Sequence, residues 1–311
     1  MTILALPTVE GDGVDAARLS AYLTTLSLAA AESIPPTDAA KAPDTIPITD
    51  SITSVFERHL KYTPASDQWL PTGRARFVQS VERFVAANRP VEFVLPAFPC
   101  KSSNRNKVIG VLPDKGEELG LRTMKLFADA VSRVYAPGVV MRIVSDGHVF
   151  SDLVGTDDGT VDAYNQGLLE MSAGVSPDRE LFRFAGLDDL LQLKSLDRHE
   201  DRWAAPPSGP LATTRTPQAE RGRAILMQLF GKMGSIEERM AKDPALMALC
   251  RGFSKFVYED TLQHHSLASM SRSKQKKVAW ETAKLMILRN EAYSKLVEVA
   301  YPAAVRLSIH P

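Results

Sequence analysis

The chain has 311 residues, of which 44% are apolar and 24% are charged, so its composition is that of an ordinary globular protein. It carries 37 Lys+Arg and 37 Asp+Glu, and a formal net charge of zero argues against nonspecific nucleic-acid binding, which depends on neutralising phosphates. The two cysteines, Cys100 and Cys250, have no paired spacing, which excludes a disulfide scaffold and a CxxC metal site.

Membrane and secretory signals are also missing from the sequence pattern. No apolar run reaches the roughly 18 residues that a spanning helix needs. The start of the chain has no basic segment ahead of a long apolar core, as a signal peptide would. We therefore expect a cytoplasmic protein that binds neither nucleic acid nor a membrane.

The first part of the chain is predicted to be an arm. An Ala- and Leu-rich stretch at 14–32 favours a helix, and a proline-rich stretch at 34–48 is typical of a linker. We accordingly divide the chain into residues 1–48, a helical arm with its linker, and residues 49–311, a single catalytic α/β domain.

Helices and strands alternate along the first half of that domain. Short apolar runs typical of strands covered on both faces are separated by segments with helical spacing of apolar residues. The predicted helices are 51–62, 72–90, 117–135 and 160–174, the last ended by Gly174, and the predicted strands are 91–98, 138–144 and 181–187. Such alternation implies right-handed crossovers and a parallel sheet.

The second half of the domain is predicted to be mostly helical. Its last helix begins near Ser271 or Ser273 and runs to about Ala300, and residues 304–311 alternate as a final strand. The predicted fold class is α/β: a Rossmann-like, mostly parallel sheet flanked by helices, with a largely helical C-terminal half that returns to the sheet.

Ligands of open parallel sheets bind beyond the carboxyl ends of the strands, which directs attention to the loop after strand 91–98. This loop reads "PCKSSNRNKVIGVLPDKGEELG" and offers ammonium, hydroxyl and amide donors for a phosphate or carboxylate. The candidate donors are Lys101, Ser102, Ser103, Asn104 and Lys107. Partial burial would lower the pKa of Lys101 and permit amine chemistry. A solvated basic loop is the alternative, and no Walker pattern is present.

The loop after strand 138–144 reads "SDGHVFSDLVGTDD" and is rich in acids. A metal or general acid/base site is one interpretation, and turn and capping chemistry is the other. Asp157 and Asp158 are best explained as capping residues of the next helix. Asp146 and Asp152 are not, because neither directly precedes a predicted helix, so they remain acid/base candidates.

The last helix places cations where the helix dipole disfavours them, in its first turns. These are Arg272, Lys276 and Lys277, which suit a docked anion or are merely exposed. Further along, Arg289 falls on an apolar stripe and needs an anionic partner, either a ligand or an internal carboxylate. In the final strand, Arg306 and His310 share a polar face.

Four ordered segments carry a resemblance to a known family. They are "FPCKSSNRNKVIGVLPDKGEELGL", "SDGHVFSDLVGTDDGTVDAY", "SRSKQKKVAWETAKLMILRNEAY" and "YPAAVRLSIHP". Together they resemble the isocyanide (isonitrile) synthase family, also called the pyoverdine/dityrosine biosynthesis family. Its motifs are F-P-x-K-S-x-N, L-P-D-x-x-E, S-D-G-x-V-F/Y-x-D-L-x-G, S-R-S-x-x-K-K and V-R-L-S-I-H-P. The match runs from about residue 50 to the end of the sequence.

The resemblance implies an enzyme of secondary metabolism that joins the α-amine of an amino acid to ribulose 5-phosphate, whose ketone carbon becomes the isocyanide carbon. It implies no metal or organic cofactor, and a downstream oxygenase as a further partner. Its motif positions add Asp114 to Lys101, Asp146 and Asp152 as catalytic candidates, and Ser145 as a substrate-binding one. The carboxylate of the amino acid would need Arg289 or Arg306.

Two alternatives follow from the same residues. The family's chains usually continue past R-L-S-I-H-P into a strand and a P-W-H tail, so we expect the family's C-terminal end to be missing after Pro311. A noncatalytic binder of phosphosugar and amino acid is then the first alternative. A Mg²⁺-dependent phosphatase is the second, and the run "SDGH" argues against it because it has no DxD pair.

Overall fold

The computed structural model describes residues 47–61, 69–177, 181–191, 208–232 and 234–308. Nearly all of the predicted arm and linker lies outside these ranges, as do His310 and Pro311. Of the helices that the structure describes, none combines the length and the apolar character needed to cross a bilayer.

Eleven α-helices, one π-helical turn and four strands make up the described residues. In chain order they are α1 Ile48–His59, the π-helical turn Trp69–Gly73, α2 Arg74–Ala86, β1 Val91–Pro96, α3 Lys115–Ser132, β2 Val139–Val144, α4 Gly147–Val154, α5 Asp158–Val175, β3 Phe182–Ala185, α6 Leu187–Leu191, α7 Pro217–Phe230, α8 Ile236–Lys242, α9 Pro244–Thr261, α10 His265–Ala268, α11 Arg272–Ala300 and β4 Val305–Arg306.

The four strands form one parallel sheet in the order β3-β2-β1-β4. Val91 pairs with Val139 between β1 and β2, and Phe93 pairs with Val305 between β1 and β4. The predicted α/β class, the parallel sheet and the returning C-terminal strand are confirmed. The strand β4 is shorter than predicted, although Leu307 beyond it still donates its backbone N–H to Val94 at 2.8 Å.

Both faces of the sheet are covered, which explains the continuous apolar runs in its strands. Phe93 and Met141 face a core built with α1, α2 and α3. Val94 faces the opposite core, built with α4, α7 and α11. The crossover from β1 to β2 therefore lies on one face and the return from β3 to β4 on the other, so the strand order reverses between β1 and β4. Such a reversal opens a crevice at the carboxyl edge of the sheet.

Local sequence signals account for several helix ends. Asp114 caps α3 through Gly116 N–H and forms a reciprocal capping box with Glu117. The prediction that Gly174 ends its helix is wrong, because α5 continues through it to Val175. The helix α4 was not predicted, since its eight residues lie within the acid-rich segment that we interpreted as a loop.

Candidate functional site

The carboxyl ends of β1 and β2 meet in a tightly packed junction. Phe98, just beyond β1, adopts a φ of 57°, a left-handed conformation that costs a non-glycine residue energy and that is concentrated at functional sites. A Cβ on Gly147, just beyond β2, would lie 2.2 Å from the backbone oxygen of Pro99. Only glycine lets the two loops approach this closely, so their polar side chains are held against one another.

Asp146 is the acid placed at this junction. It directly precedes α4, which corrects our expectation that no helix follows it, but its side chain makes no capping hydrogen bond. Its Oδ1 atom is buried and has no hydrogen-bond partner among the described residues. Burial raises the pKa of Asp146 from 3.8 to about 6. A carboxyl group that titrates near neutral pH can both accept and donate a proton.

Asp152 and Arg289, by contrast, satisfy each other inside the protein. Both are almost fully buried, and the guanidinium holds the carboxylate at two points, with Nη2 to Oδ2 at 2.9 Å. Gly209 N–H donates to the same Oδ2 at 2.8 Å. Burial alone would raise the pKa of Asp152, but Arg289 lowers it below its ordinary value. We expected a proton shuttle and a substrate anchor, and the structure shows an internal ion pair that joins α4 to α11.

A second buried ion pair joins α5 to α7. Asp158, which we interpreted as a capping residue, is 1% exposed and accepts hydrogen bonds from Arg223 Nη2 at 3.1 Å and Ser151 Oγ at 2.7 Å. Sequence reasoning missed Arg223. Its place on the buried face of α7, four residues after the buried Ala219, was the signal that an internal carboxylate is needed.

The loop after β1 uses most of its donors to hold itself in place. Ser103 Oγ contacts the backbone oxygens of Val154 and Asp260 at 3.1 and 2.9 Å, and Asn104 Nδ2 donates to Glu259 O at 2.7 Å. A further contact joins Lys107 Nζ to Asp260 Oδ1 at 2.6 Å, and Ser102 Oγ accepts from Asn104 N–H at 3.1 Å. Several side chains of the loop are therefore engaged by α4, by α9 or by the loop itself, while residues 105–107 remain exposed to solvent.

Lys101 lies in a cluster of its own, which we call the Lys101 cluster and which comprises Lys101, Asp114, Glu117 and Tyr164. Its Nζ atom lies 2.6 Å from Glu117 Oε2 and 3.1 Å from Asp114 Oδ2. Burial alone would lower the pKa of Lys101, but the two carboxylates raise it above its ordinary value. We expected the pKa of Lys101 to be lowered, and this prediction is wrong. Because the pKa is raised instead, Lys101 is a protonated ammonium at neutral pH.

Cys100 connects the Lys101 cluster to Asp146. Burial raises the pKa of the Cys100 thiol to about 11, and the nearby charge of Asp146 adds to the effect. The pKa of Tyr164 is raised mainly by burial, and the neighbouring Glu117 and Cys100 raise it further. Lys101 and Asp146 therefore lie on either side of Cys100, at the carboxyl edge of β1 and β2.

Other candidate residues lie around this region. Ser145 Oγ donates to Phe98 O at 3.3 Å, which links the ends of β2 and β1. Arg306 donates to Ser294 O and Ser294 Oγ on α11 at 3.3 and 3.0 Å, and burial lowers the pKa of its guanidinium. Tyr293 OH donates to Val144 O at 3.2 Å, and Asp146 adds to the effect of burial in raising its pKa.

The basic start of α11 is solvent-exposed. Arg272, Lys276 and Lys277 lie in its first turns, and Ser271 at its N-cap makes no side-chain capping bond. His310 lies outside the described residues. Across the ranges that the structure describes, no group of three or more His, Cys, Asp or Glu side chains is placed to hold a metal ion.

Comparisons with known proteins agree on one family. The model of the pyoverdine/dityrosine biosynthesis protein family matches residues 81–311. The spore wall maturation protein DIT1 of Saccharomyces cerevisiae is 39% identical over 261 residues, which are 82% of this chain and 49% of that protein. The L-tryptophan isonitrile synthase AmbI2 of Fischerella ambigua is 32% identical over 241 residues, 76% of this chain and 64% of that enzyme.

A solved structure supports the same conclusion. The crystal structure of the PvcA protein from Pseudomonas aeruginosa superimposes with a TM-score of 0.71 at 26% identity, covering 85% of this chain and 79% of that one. The chain spans about half the length of the yeast relative and just under two thirds of the tryptophan enzyme.

Proposed function

Because the chain belongs to the pyoverdine/dityrosine biosynthesis protein family, we propose that it is an isocyanide synthase. Relatives about 30% identical over most of this chain are an L-tyrosine isonitrile synthase of Xenorhabdus nematophila and the isocyanide synthase xanB of Aspergillus fumigatus. The proposed substrates are an amino acid and ribulose 5-phosphate. The relative that is 39% identical is named for spore wall maturation rather than for a reaction, so the amino acid is proposed only as a class.

The observation that carries this proposal is the carboxyl group of Asp146 at the carboxyl edge of β2, whose Oδ1 atom is buried and has no hydrogen-bond partner among the described residues. Condensation of an amine with a ketone releases water, so protons must leave the nitrogen and reach the departing oxygen. Later eliminations move further protons. A group whose pKa is about 6 can serve in both directions near neutral pH, and such catalysis is typically worth about 100- to 10,000-fold in rate.

Asp152 and Arg289 have no direct part in the proposed chemistry. Each is neutralised by the other, and breaking the pair would leave a charge buried without compensation. Their function is to fix α4, whose first residues follow Asp146. The amino-acid carboxylate and the sugar phosphate must then be bound elsewhere.

For the phosphate we propose the basic start of α11. Arg272, Lys276 and Lys277 are exposed and lie in the first turns of the helix, where an anion is favoured by the unpaired backbone N–H groups. The double variant Lys276→Gln/Lys277→Gln is expected to raise the KM for ribulose 5-phosphate about tenfold and to leave the KM for the amino acid unchanged. The matched control Lys242→Gln neutralises an exposed lysine on α8, and equal effects in both variants would refute this anchor.

The proposed activity is tested by incubating the protein with a panel of amino acids and ribulose 5-phosphate, trapping isocyanides with a tetrazine and detecting adducts by mass. We expect an adduct with at least one amino acid, also in the presence of EDTA. The variant Asp146→Asn is expected to lose at least 100-fold in rate, whereas Asp129→Asn, at an exposed ion pair on α3, keeps its rate. Absence of any adduct from the wild type would refute the proposal, and tight binding of ribulose 5-phosphate without product would favour a noncatalytic binder.

A further inference from the structure

We infer that Glu117 is a positioning residue that holds Lys101 as a fixed ammonium donor to an uncharged substrate oxygen, and not as an imine-forming amine. The inference rests on the proposed function, in which the ketone oxygen of the sugar must depart as water. From the sequence we named Asp114, and not Glu117, as a catalytic candidate in this segment.

Three donors converge on the carboxylate of Glu117. Lys101 Nζ lies 2.6 Å from Oε2, Asp114 N–H donates to the same oxygen at 2.8 Å, and Tyr164 OH donates to Oε1 at 3.0 Å. The Glu117 side chain is 12% exposed and that of Lys101 is 11% exposed. With both oxygens engaged and little solvent present, the carboxylate has one orientation and fixes the position of the ammonium group.

The orientation is set by elements of the fold rather than by flexible loops. Glu117 is the third residue of α3, where the reciprocal capping box with Asp114 holds it. Tyr164 is 1% exposed on α5, which packs against α3. The Lys101 side chain therefore reaches from the end of β1 to a site assembled by two helices.

Charge decides what Lys101 can bind. One ammonium faces the two carboxylates of Asp114 and Glu117, so the Lys101 cluster carries a formal charge of −1 and would repel a phosphate. An ammonium has three N–H donors, and those carboxylates account for two. The third suits a neutral acceptor such as a carbonyl or hydroxyl oxygen. No bond to Lys101 is formed or broken, and its hydrogen bond polarises the oxygen that will leave as water.

The inference is tested by the pH dependence with which an amine-reactive reagent such as acetic anhydride modifies Lys101, measured by mass spectrometry without substrate. The exposed Lys242 at the end of α8, which none of the variants in this test touches, serves as the internal reference for reagent and exposure time. Wild-type Lys101 is expected to become reactive only above the pH range of an ordinary lysine side chain, because the two carboxylates raise its pKa. In Glu117→Gln the profile of Lys101 should move down by about 1 to 2 pH units, since a hydrogen bond to a charged group is lost. Tyr164→Phe should move it less, in the same direction.

The matched control is Glu118→Gln. Glu118 is the next residue on α3 and pairs with Lys115 and Arg122 instead, so its loss should leave the Lys101 profile unchanged. An unchanged profile in both Glu117→Gln and Tyr164→Phe would overturn the inference. This result is independent of turnover, so it is separate from a failure of the proposed reaction.

Turnover supplies a second, separate readout. In Glu117→Gln, kcat is expected to fall at least tenfold, the KM for ribulose 5-phosphate to change less than threefold, and the high-pH limb of kcat/KM to move down with the Lys101 profile. Borohydride added during turnover of the wild type should leave no sugar adduct on Lys101. A reduced adduct on Lys101 would overturn the inference, because it would identify Lys101 as the imine-forming amine.

Discussion

The replacement Asp146→Asn should stabilise the protein at neutral pH while it lowers the rate at least 100-fold. Asparagine has the shape of the protonated carboxyl group but cannot ionise. The pKa of Asp146 is raised from 3.8 to about 6 in the folded protein. A difference of about 2.2 pH units, at about 1.36 kcal/mol per unit, corresponds to about 3 kcal/mol of unfolding free energy.

The direction in which the free energy of unfolding changes with pH follows from proton binding. Between pH 3.8 and about 6 the folded protein binds this proton more tightly than the unfolded chain does, so wild-type stability falls as the pH rises through that window. Below the window the wild type and Asp146→Asn should be equally stable. Above pH 6, with the carboxylate ionised and buried, the variant should be more stable by about 3 kcal/mol.

The assay is urea unfolding of both proteins at pH 3.5, below the window, and at pH 7.5, above it, with Asp129→Asn as the exposed control. Each comparison is made at one pH, so titration of all other groups cancels. A stability difference that does not change between the two pH values would refute the reasoning, because it would mean that Asp146 is not desolvated. A destabilised variant at pH 7.5 would refute it as well.

Two further predictions concern the supports of the site. Asp152→Ala should cost about 3–5 kcal/mol of unfolding free energy, because it leaves Arg289 buried without its partner; a loss below 1 kcal/mol in urea unfolding would contradict the buried pair. Gly147→Ala should lower both the denaturation midpoint and activity, since its Cβ would lie 2.2 Å from Pro99 O. Its matched control, Gly174→Ala, has no atom within 4 Å of the new Cβ and lies inside a helix, so thermal unfolding should show about 1 kcal/mol of stabilisation.

Much of the fold was predictable because its sheet is buried on both faces. Apolar runs such as 91–98 and 138–144 have few alternatives in a chain of this composition, and each became a strand within two residues of its predicted bounds. The helix α4 was missed because its eight residues mix buried apolar positions with Asp152, whose burial depends on Arg289, 137 residues away. No local pattern encodes such a partner.

The sequence predicted where the candidate site lies. It did not predict which of the site's charged side chains pair with one another. The rule for parallel sheets directed attention to the loops of Lys101 and Asp146, and the structure brings those loops together. Long-range contacts decide which acid is paired: Asp152 is neutralised by Arg289 on α11, whereas Asp146 Oδ1 has no hydrogen-bond partner within the described residues. Glu117 was overlooked because its position in the capping box of α3 already explains a glutamate there. Its second role, as the hydrogen-bond acceptor of Lys101, is visible only in the structure.

In the reaction that we propose, an amino acid is joined to ribulose 5-phosphate and the ketone carbon of the sugar becomes the isocyanide carbon. Ribulose 5-phosphate labelled with ¹³C at its ketone carbon tests this most directly, with mass detection of the trapped product. The account predicts an isocyanide adduct heavier by one mass unit than the adduct from unlabelled sugar. An adduct that carries no label, or no adduct with any amino acid, would contradict it.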